Sequence, residues 1–434
     1  MDISIIGASG SVGRQIAIGI ARAGLVPSNG RLQLVGRKGG PSEQSLYGVA
    51  TDLADAFAED LPELDLAFEP KDVLGDIIIL VAGDSVGRGD PRSRADLAIK
   101  NREVVEAYAK AIARHGHGEE LLLVITNPVE PCVHWCTRYI DRKRVVGMGA
   151  YLDSLRFRQE IAHELGVRRQ RVQGLVLGEH GPQMVPCWST VHVHGFDSAE
   201  GRARVKALQK PRDPSVADAL AQIASVNRER GPRAAYKHAE RFGPALRAVV
   251  KPMVTQVCGA RSTASTAEMI LRLLSTLLSG GQVLTAAQVE LAGEFLGIHG
   301  VVGAPIVLTL GGVDRVVPYT LTADEQSAVR RAVYSEPRAQ RKPAPQVLDR
   351  PRAYRCELSV RSSASPGTAE RVSAVFASRG ISLRALHATP GAPAAIELRF
   401  VASSAVTDYL ARRLLRMRDV LRVRMLLDGP RDKS

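Results

Sequence analysis

The 434-residue sequence predicts an α/β protein with a doubly wound parallel sheet, because short apolar segments alternate with helix-like stretches from its start. Residues 2–7 form an apolar run that ends in glycine, and a segment with helical periodicity follows from Val12 to Ala23. Further segments short enough to be buried strands are Arg31–Val35, Ile77–Ala82, Leu121–Thr126 and Val145–Met148. Strands of this composition are typical of parallel sheets that helices cover on both faces.

These patterns divide the chain into three parts joined by one linker. Residues 1–150 form the first domain, and residues 151–335 mix helical and strand patterns, which predicts an α+β catalytic domain with an Arg/Lys-rich insertion near 201–247. Residues 336–351 contain four prolines and little apolar character, which is typical of a linker. Residues 352–428 predict strand, helix, strand, strand, helix and strand, a small βαββαβ domain.

Composition and charge limit the classes of partner. The net charge of +13 permits anion or nucleic-acid binding, but the arginines are spread along the chain without a basic block. We therefore expect anionic small ligands and no nucleic acid. No apolar run approaches the ~20 residues of a membrane helix. Because a strand begins at once, without room for a signal peptide, we expect a cytoplasmic protein with no membrane partner.

The five cysteines do not suggest a disulfide framework or a strong metal motif. Cys132 and Cys136 are one helical turn apart with His134 between them, which raises the alternative of a zinc site. His134 would point elsewhere on a helix, and no second pair of ligands follows. We therefore favour buried helix thiols and predict no metal site.

A glycine-rich turn lies between the first strand and the first helix. Its glycines allow the backbone to turn tightly and approach a pyrophosphate, whose charge suits a helix N-terminus. Because the turn opens a βαβ unit, it predicts that the first domain is a Rossmann-type dinucleotide-binding domain. The residues expected to contact the cofactor here are Gly7, Ser9, Gly10, Ser11, Val12 and Gly13.

The second strand is followed by a basic turn that contains Gly36, Arg37 and Lys38. NAD-binding domains commonly have an acidic residue here that holds the ribose hydroxyls, and this chain has none. Without that carboxylate a 2′-phosphate is not repelled, and Arg37 and Lys38 can pair with it. We favour NADP and keep NAD as the alternative, in which the turn is a solvated loop that happens to be basic.

Four later segments together supply what hydride transfer to a 2-keto acid requires. His180 can donate a proton because imidazole titrates near neutrality, and Asp153 can orient and stabilise the ring. Arg94 can polarise the carbonyl, and Arg156 can bind a carboxylate with its planar fork. Asn127 follows a parallel strand, where ligands bind in open α/β sheets.

These segments resemble the malate/lactate dehydrogenase family from about residue 2 to 330. The family's glycine turn, Thr-Asn-Pro-Val, Leu-Asp-x-x-Arg and Gly-Glu-His-Gly stand in order at residues 7–13, 126–129, 152–156 and 178–181. The resemblance implies a His180–Asp153 proton relay and a mobile-loop arginine at Arg94. It also implies substrate contacts from Arg156 and Asn127. Further residues expected at the substrate or the cofactor are Ser262 (or Thr263), Asn101, Thr126 and Asn127.

The loop before Arg94 suggests that the substrate carries a second anionic group. In the resembled family, an arginine at the position of Arg88 accompanies malate-like substrates, because a buried guanidinium needs an anionic partner. Arg92 is an alternative, since the loop composition departs from the family pattern. A monocarboxylate (lactate-type) enzyme remains the alternative within the class. A non-catalytic sensor of cofactor and effector is the alternative outside it.

The C-terminal domain resembles the ACT module, a small βαββαβ domain that senses amino acids. The resemblance rests on Ser365-Pro-Gly before the first helix and on Gly380-Ile-Ser-Leu after it. It implies a small-molecule effector, and the alternative is an oligomerisation domain without a ligand. We expect a homodimer or homotetramer.

Overall fold

The structure is a computed structural model, and it describes residues 1–27, 29–84, 94–209, 213–258, 263–336, 351–361, 367–391 and 393–428. The elements of the first part are β1 (Asp2–Ile6), α1 (Ser11–Arg22), β2 (Arg31–Val35), α2 (Pro41–Ala56), β3 (Glu63–Ala67), β4 (Ile77–Leu80), α3 (Arg94–His115), β5 (Leu121–Val124), α4 (Val129–Thr137) and β6 (Val145–Gly147). These strands pair in parallel in the order β3-β2-β1-β4-β5-β6. The predicted parallel sheet is therefore confirmed.

β3 is a strand that the sequence analysis missed. Glu63 and Asp65 interrupt its apolar pattern, and β3 lies at the edge of the sheet. In the structure both acids are paired, since the buried Arg31 lies 3.1 Å from Glu63 and 3.4 Å from Asp65. An edge strand can carry such charges because neighbouring strands and domains supply opposite ones.

The second part extends the same sheet with antiparallel strands. Its elements are α5 (Gly149–Leu165), β7 (Val172–Gly178), β8 (Met184–Val193), α6 (Ala199–Ala207), α7 (Val216–Arg230), α8 (Pro232–Ala239), α9 (Pro244–Val257), α10 (Ala264–Leu278), β9 (Val283–Ala292), β10 (His299–Thr309), β11 (Gly312–Val316) and α11 (Ala323–Arg331). The sheet continues from β6 through β9, β10 and β7 to β8, and β11 pairs with β10.

The predicted insertion near 201–247 folds into helices. α7, α8 and α9 share a small apolar core of their own. α9 is also tied to α5, because the buried Arg247 lies 2.8 Å from Glu160 and 2.6 Å from Glu164. Within the segment, α6 buries only Gly201 and α7 only Ala219 and Ile223, which agrees with the weak amphipathicity of these two helices.

The third part is a four-stranded antiparallel sheet with two helices. Its elements are β12 (Arg352–Val360), α12 (Thr368–Ala377), β13 (Leu383–Thr389), β14 (Ala394–Ala402), α13 (Ser404–Leu415) and β15 (Val420–Leu427). The strand order is β13-β14-β12-β15, which gives the βαββαβ arrangement that the sequence predicts. Of the predicted linker, only Glu336 and Pro351 are described, and Glu336 accepts a hydrogen bond from Trp135 at 3.4 Å.

The C-terminal domain docks on the amino ends of the parallel strands. Tyr409 donates to the carbonyl of Leu74 at 2.9 Å, and Arg416 binds both carboxylate oxygens of Asp65 at 2.8 and 3.0 Å. Arg413 forms an ion pair with Asp2 at the start of β1. We call this set of contacts, with the Arg379–Asp76 pair and His117, the junction cluster.

Candidate active site

The glycine turn forms a tight backbone cradle between β1 and α1. Gly7 adopts φ +94° and donates to the carbonyl of Val35 at 2.9 Å. A Cβ at Gly7 would lie 2.7 Å from the backbone nitrogen of Ala82, and one at Gly13 would lie 2.4 Å from the carbonyl oxygen of Gly7. Both positions therefore require glycine. Gly10 precedes α1 without a side-chain cap, so the backbone N–H groups that begin at Ser11 and Val12 can meet a phosphate. These features fit a dinucleotide.

The basic turn lies beside this cradle, at the N-terminus of α2. Gly36 donates to the carbonyl of Ala67 at 3.0 Å, and Arg37 is exposed. Lys38 lies 3.6 Å from Glu69, and such an ion pair between exposed side chains contributes little stability. Ser42, which the sequence analysis missed, lies 3.0 Å from the hydroxyl of Ser9 and so joins the turn to the cradle.

Two predicted site residues lie at the carboxyl end of β5. Thr126 donates to the carbonyl of Ala82 at 2.6 Å, and Asn127 precedes a cis peptide bond to Pro128. Asn101 is buried and donates to the carbonyls of Asp84 and Asn127 at 3.1 and 2.8 Å. Its amide oxygen accepts from Asp84 N–H at 2.8 Å. These contacts tie the N-terminal part of α3 to the segments that follow β4 and β5, and the direct cofactor contact expected from the sequence stays a prediction.

His180 and Asp153 form the centre of the site. Nδ1 of His180 lies 2.6 Å from Oδ2 of the fully buried Asp153, and Nη1 of Arg156 donates to Oδ1 at 2.9 Å. Burial opposes protonation of the imidazole, but the charge and the hydrogen bond of Asp153 outweigh it and raise the pKa of His180. The ring is therefore well placed to hold a proton near neutral pH.

The backbone around this pair leaves space for the imidazole. A Cβ at Gly149 would lie 2.4 Å from Cγ of His180, so the start of α5 must be glycine there. The amide oxygen of the buried Gln288 accepts from Ala150 N–H at 3.0 Å and fixes the same turn. The sequence analysis missed both residues, because the need for them arises only when α5, β9 and the His180 loop come together.

Glu130 is a further buried group beside His180 that the sequence analysis missed. Its Oε1 accepts from the backbone N–H of His180 at 2.6 Å, and the residue is 1% exposed. Burial raises the pKa of the Glu130 carboxyl. Its position directly after the Asn-Pro-Val motif was the one signal that could have singled it out.

The remaining predicted residues are only partly described. Arg94 begins α3, and Thr263 directly precedes α10, whereas Arg88, Arg92 and Ser262 lie outside the described residues. The structure therefore brings together the glycine turn, Thr126, Asn127, Asp153, Arg156 and His180 at the carboxyl edge of the parallel sheet. That edge is where open α/β sheets bind their ligands.

Cys132 and Cys136 are buried on α4, and burial raises the pKa of both thiols. Within the described ranges, no group of three or more His, Cys, Asp or Glu side chains is arranged to hold a metal ion. The helices of the described ranges also include none that is long and apolar enough to cross a membrane.

Comparisons with known proteins identify relatives of most of the chain. A family model described as lactate/malate dehydrogenase, NAD binding domain, matches residues 1–147, and one described as lactate/malate dehydrogenase, alpha/beta C-terminal domain, matches residues 150–225. A malate dehydrogenase of Methanothermobacter thermautotrophicus is 30% identical over 338 residues, 76% of this chain and 94% of the relative. An L-2-hydroxycarboxylate dehydrogenase (NAD(P)(+)) of Methanocaldococcus jannaschii is 30% identical over 340 residues, 76% of this chain and 96% of the relative.

Solved structures share the fold. The malate dehydrogenase from Aeropyrum pernix matches with a TM-score of 0.59 and 23% identity, over 77% of this chain and 95% of that one. About a quarter of the present chain has no counterpart in these relatives.

Proposed function

The chain belongs to the lactate/malate dehydrogenase family of nicotinamide-dependent 2-hydroxyacid oxidoreductases, and we propose that its substrate carries a second anionic group besides the 2-keto acid. The observation that carries the assignment of roles is the His180–Asp153 pair with Arg156 beside it. A ketone that accepts a hydride develops negative charge on its oxygen and needs a proton donor and a cation nearby. His180, held by Asp153, is the proposed proton donor, and the neighbouring Arg156 is placed for the substrate carboxylate.

The nicotinamide supplies or accepts the hydride when it is bound, and the chain's own residues handle the substrate. During reduction His180 donates its proton to the carbonyl oxygen, and during oxidation the same nitrogen accepts it. Asp153 holds the opposite ring nitrogen and stabilises the imidazolium. Arg156 binds the substrate carboxylate, Arg94 polarises the carbonyl, and Asn127 donates a hydrogen bond to the substrate.

NADP is the proposed cofactor, with NAD as the alternative. The support is the exposed Arg37 and Lys38 beside Ser42 at the start of α2, without an acid at the end of β2. Charge-assisted hydrogen bonds of this kind contribute roughly 1.5–3 kcal/mol each. Replacing Arg37 and Lys38 together by Ala should therefore reduce the NADPH-over-NADH preference in kcat/KM. Equal efficiency with both cofactors in the unchanged protein would contradict the proposal.

Oxaloacetate or an analogue with another distal anion is the proposed substrate class. The sequence position of Arg88, or of Arg92, supports it, as do relatives named malate dehydrogenase. A reductase screen over oxaloacetate, pyruvate and 2-oxoglutarate, with NADPH and NADH, tests this directly. Arg88→Gln should reduce kcat/KM more for oxaloacetate than for pyruvate. A natural preference for pyruvate would favour the lactate-type alternative.

The C-terminal domain is proposed to be an ACT-like sensor of a small effector. Its βαββαβ topology supports this proposal, as does a cavity of about 230 Å³ at the junction, lined in part by Asp2, Ser378, Arg379, Tyr409 and Arg413. Thermal unfolding of the full chain with individual amino acids and small carboxylates tests it. A specific rise in melting temperature supports a sensor, whereas the absence of any shift favours an oligomerisation role.

Assembly and location are also proposals. We propose that the chain forms a homodimer or homotetramer and acts in the cytoplasm. Light scattering after size-exclusion chromatography measures the assembly, and a monomer at micromolar concentration would contradict it.

A further inference from the structure

Glu130 lies where it can control the proposed proton donor without touching the substrate. It occupies the first turn of α4, directly after the cis Asn127–Pro128 bond. Its Oε1 accepts from the backbone N–H of His180 at 2.6 Å. Its Oε2 is also buried and has no hydrogen-bond partner among the residues that the structure describes. Burying a carboxyl group costs free energy unless its oxygens are hydrogen-bonded. We therefore expect the bond from Oε1 to the His180 peptide to have a specific role.

The backbone of His180 needs such an anchor because it lies between two permissive glycines. Gly178 adopts φ +84° and Gly181 adopts φ +148°, so neither residue restricts the segment as an ordinary residue would. Asp153 fixes the imidazole through Nδ1, and Glu130 fixes the peptide to which the ring is attached. The two acids therefore hold different parts of His180, Asp153 of α5 the imidazole ring and Glu130 of α4 the backbone.

In its ionised form Glu130 also favours the protonated ring, while burial raises the pKa of the Glu130 carboxyl itself. The charged groups described around His180 are Asp153 and Arg156 on α5, Glu130 on α4 and the neighbouring Glu179. Asp153 and Glu130 favour the imidazolium, whereas Arg156 opposes it. Removing one of the two supporting carboxylates should therefore make the proton easier to lose.

We propose that Glu130 is a positioning residue that holds the His180 peptide and, as a carboxylate, keeps the imidazole protonated to higher pH. The kinetic part of this inference rests on the proposed dehydrogenase reaction. The pKa of His180 itself does not, because it can be measured without substrate.

Two variants separate position from charge. Glu130→Gln keeps an oxygen that can accept from His180 N–H but removes the charge, whereas Glu130→Leu removes both. Glu268→Gln serves as the control, since Glu268 is an exposed acid on α10 that pairs only with Arg272 among the described contacts. Melting temperature and NADPH binding by fluorescence establish that each variant is folded.

The first measurement is an NMR titration of the histidine Cε1–H signals in the full chain. The signal of His180 is assigned by its absence from His180→Asn. Glu130→Gln should lower the pKa of His180 by about 1 unit, as expected for the loss of a nearby opposite charge, and Glu268→Gln should leave it unchanged. An unchanged His180 pKa in Glu130→Gln would overturn the charge role, whether or not the chain reduces any keto acid.

The second measurement is the pH profile of keto-acid reduction. Activity that depends on protonated His180 falls as the pH rises, and Glu130→Gln should move this fall to lower pH, whereas Glu268→Gln should leave the profile unchanged. Glu130→Leu should lower kcat by about 10²-fold, the cost of misplacing a catalytic group by roughly 1 Å, with KM little changed. Full kcat in Glu130→Leu would overturn the positioning role. If no keto acid is reduced but the NMR shift appears, the proposed reaction is contradicted, whereas the charge role of Glu130 is supported.

Discussion

Two buried clusters, at opposite edges of the parallel sheet, each place a histidine against an aspartate and an arginine. At the carboxyl edge, His180 lies 2.6 Å from Asp153, and 19% of its side chain stays exposed. At the amino edge, His117 lies 3.4 Å from Asp76, only 4% of its side chain is exposed, and the Tyr409 ring covers it edge-on. The remaining exposure separates a histidine that can exchange a proton with a ligand from one that closes a domain contact.

The origin of the charges differs between the clusters as well. Asp153 and Arg156 are three residues apart on α5, so one helix supplies both. In the junction cluster, Asp2 begins β1 and Asp76 directly precedes β4, whereas Arg379 and Arg413 belong to the C-terminal domain. Changes at the first cluster should therefore affect chemistry, and changes at the second should affect docking and stability.

The sharpest test of this comparison replaces each histidine in turn. His180→Asn should lower kcat for keto-acid reduction by about 10²–10⁴-fold, because it removes the proton donor, while NADPH binding is retained. His117→Asn should keep kcat near that of the unchanged chain. Steady-state kinetics and cofactor fluorescence measure both. A His180→Asn enzyme with a tenth of the original activity would remove His180 from the mechanism.

Breaking the junction should cost stability and spare catalysis. Arg413→Met leaves the buried Asp2 without its ion-pair partner, and removing one member of a buried pair costs about 3–5 kcal/mol of the free energy of unfolding. Urea denaturation of the full chain measures this. Arg418→Met is the control, since Arg418 is exposed on the same domain. If Arg413→Met lost less free energy of unfolding than Arg418→Met, the Arg413–Asp2 pair would not hold the domains together.

The junction should also weaken in acid. Burial opposes ionisation of Asp76, but His117 and Arg379 outweigh it and lower the pKa of Asp76 to about 2, from 3.8. The stability that Asp76 contributes is therefore fully present above its unfolded pKa and is lost as the pH falls towards 2. Between pH 6 and about pH 3, the difference in unfolding free energy between the unchanged chain and Asp76→Asn should shrink by about 1 kcal/mol. A constant difference would contradict the lowered pKa.

Of the four effects predicted here, that of removing the whole C-terminal domain should be the smallest. A chain that ends at Glu336 loses the arginines of the junction, but water then solvates Asp2, Asp65 and Asp76. The penalty of a buried unpaired charge does not arise. We expect a folded dehydrogenase that is less destabilised than Arg413→Met, with little change in kcat. An insoluble chain, or one that cannot bind cofactor, would show that the two parts share a core.

The sequence predicted the parallel sheet, the glycine turn and the βαββαβ order, because apolar periodicity and glycine spacing are local properties. It also selected His180, Asp153 and Arg156, which the structure brings together. It missed β3, because Glu63 and Asp65 become acceptable in a strand only when arginines far along the chain reach them. It missed Glu130 for the same reason, since its partner lies fifty positions later.

By itself the sequence determined most strands of the parallel sheet, the element order of the C-terminal domain, and the central acid, base and cation residues His180, Asp153 and Arg156. Only the tertiary structure decided that His180 stays accessible to a ligand and that His117 is buried at the domain junction. That decision depends on desolvation and on pairs distant in sequence, such as Arg413 and Asp2, 411 positions apart. A residue type fixes the proton affinity of a side chain in water, but the contacts around it fix how much water remains and which charges are near.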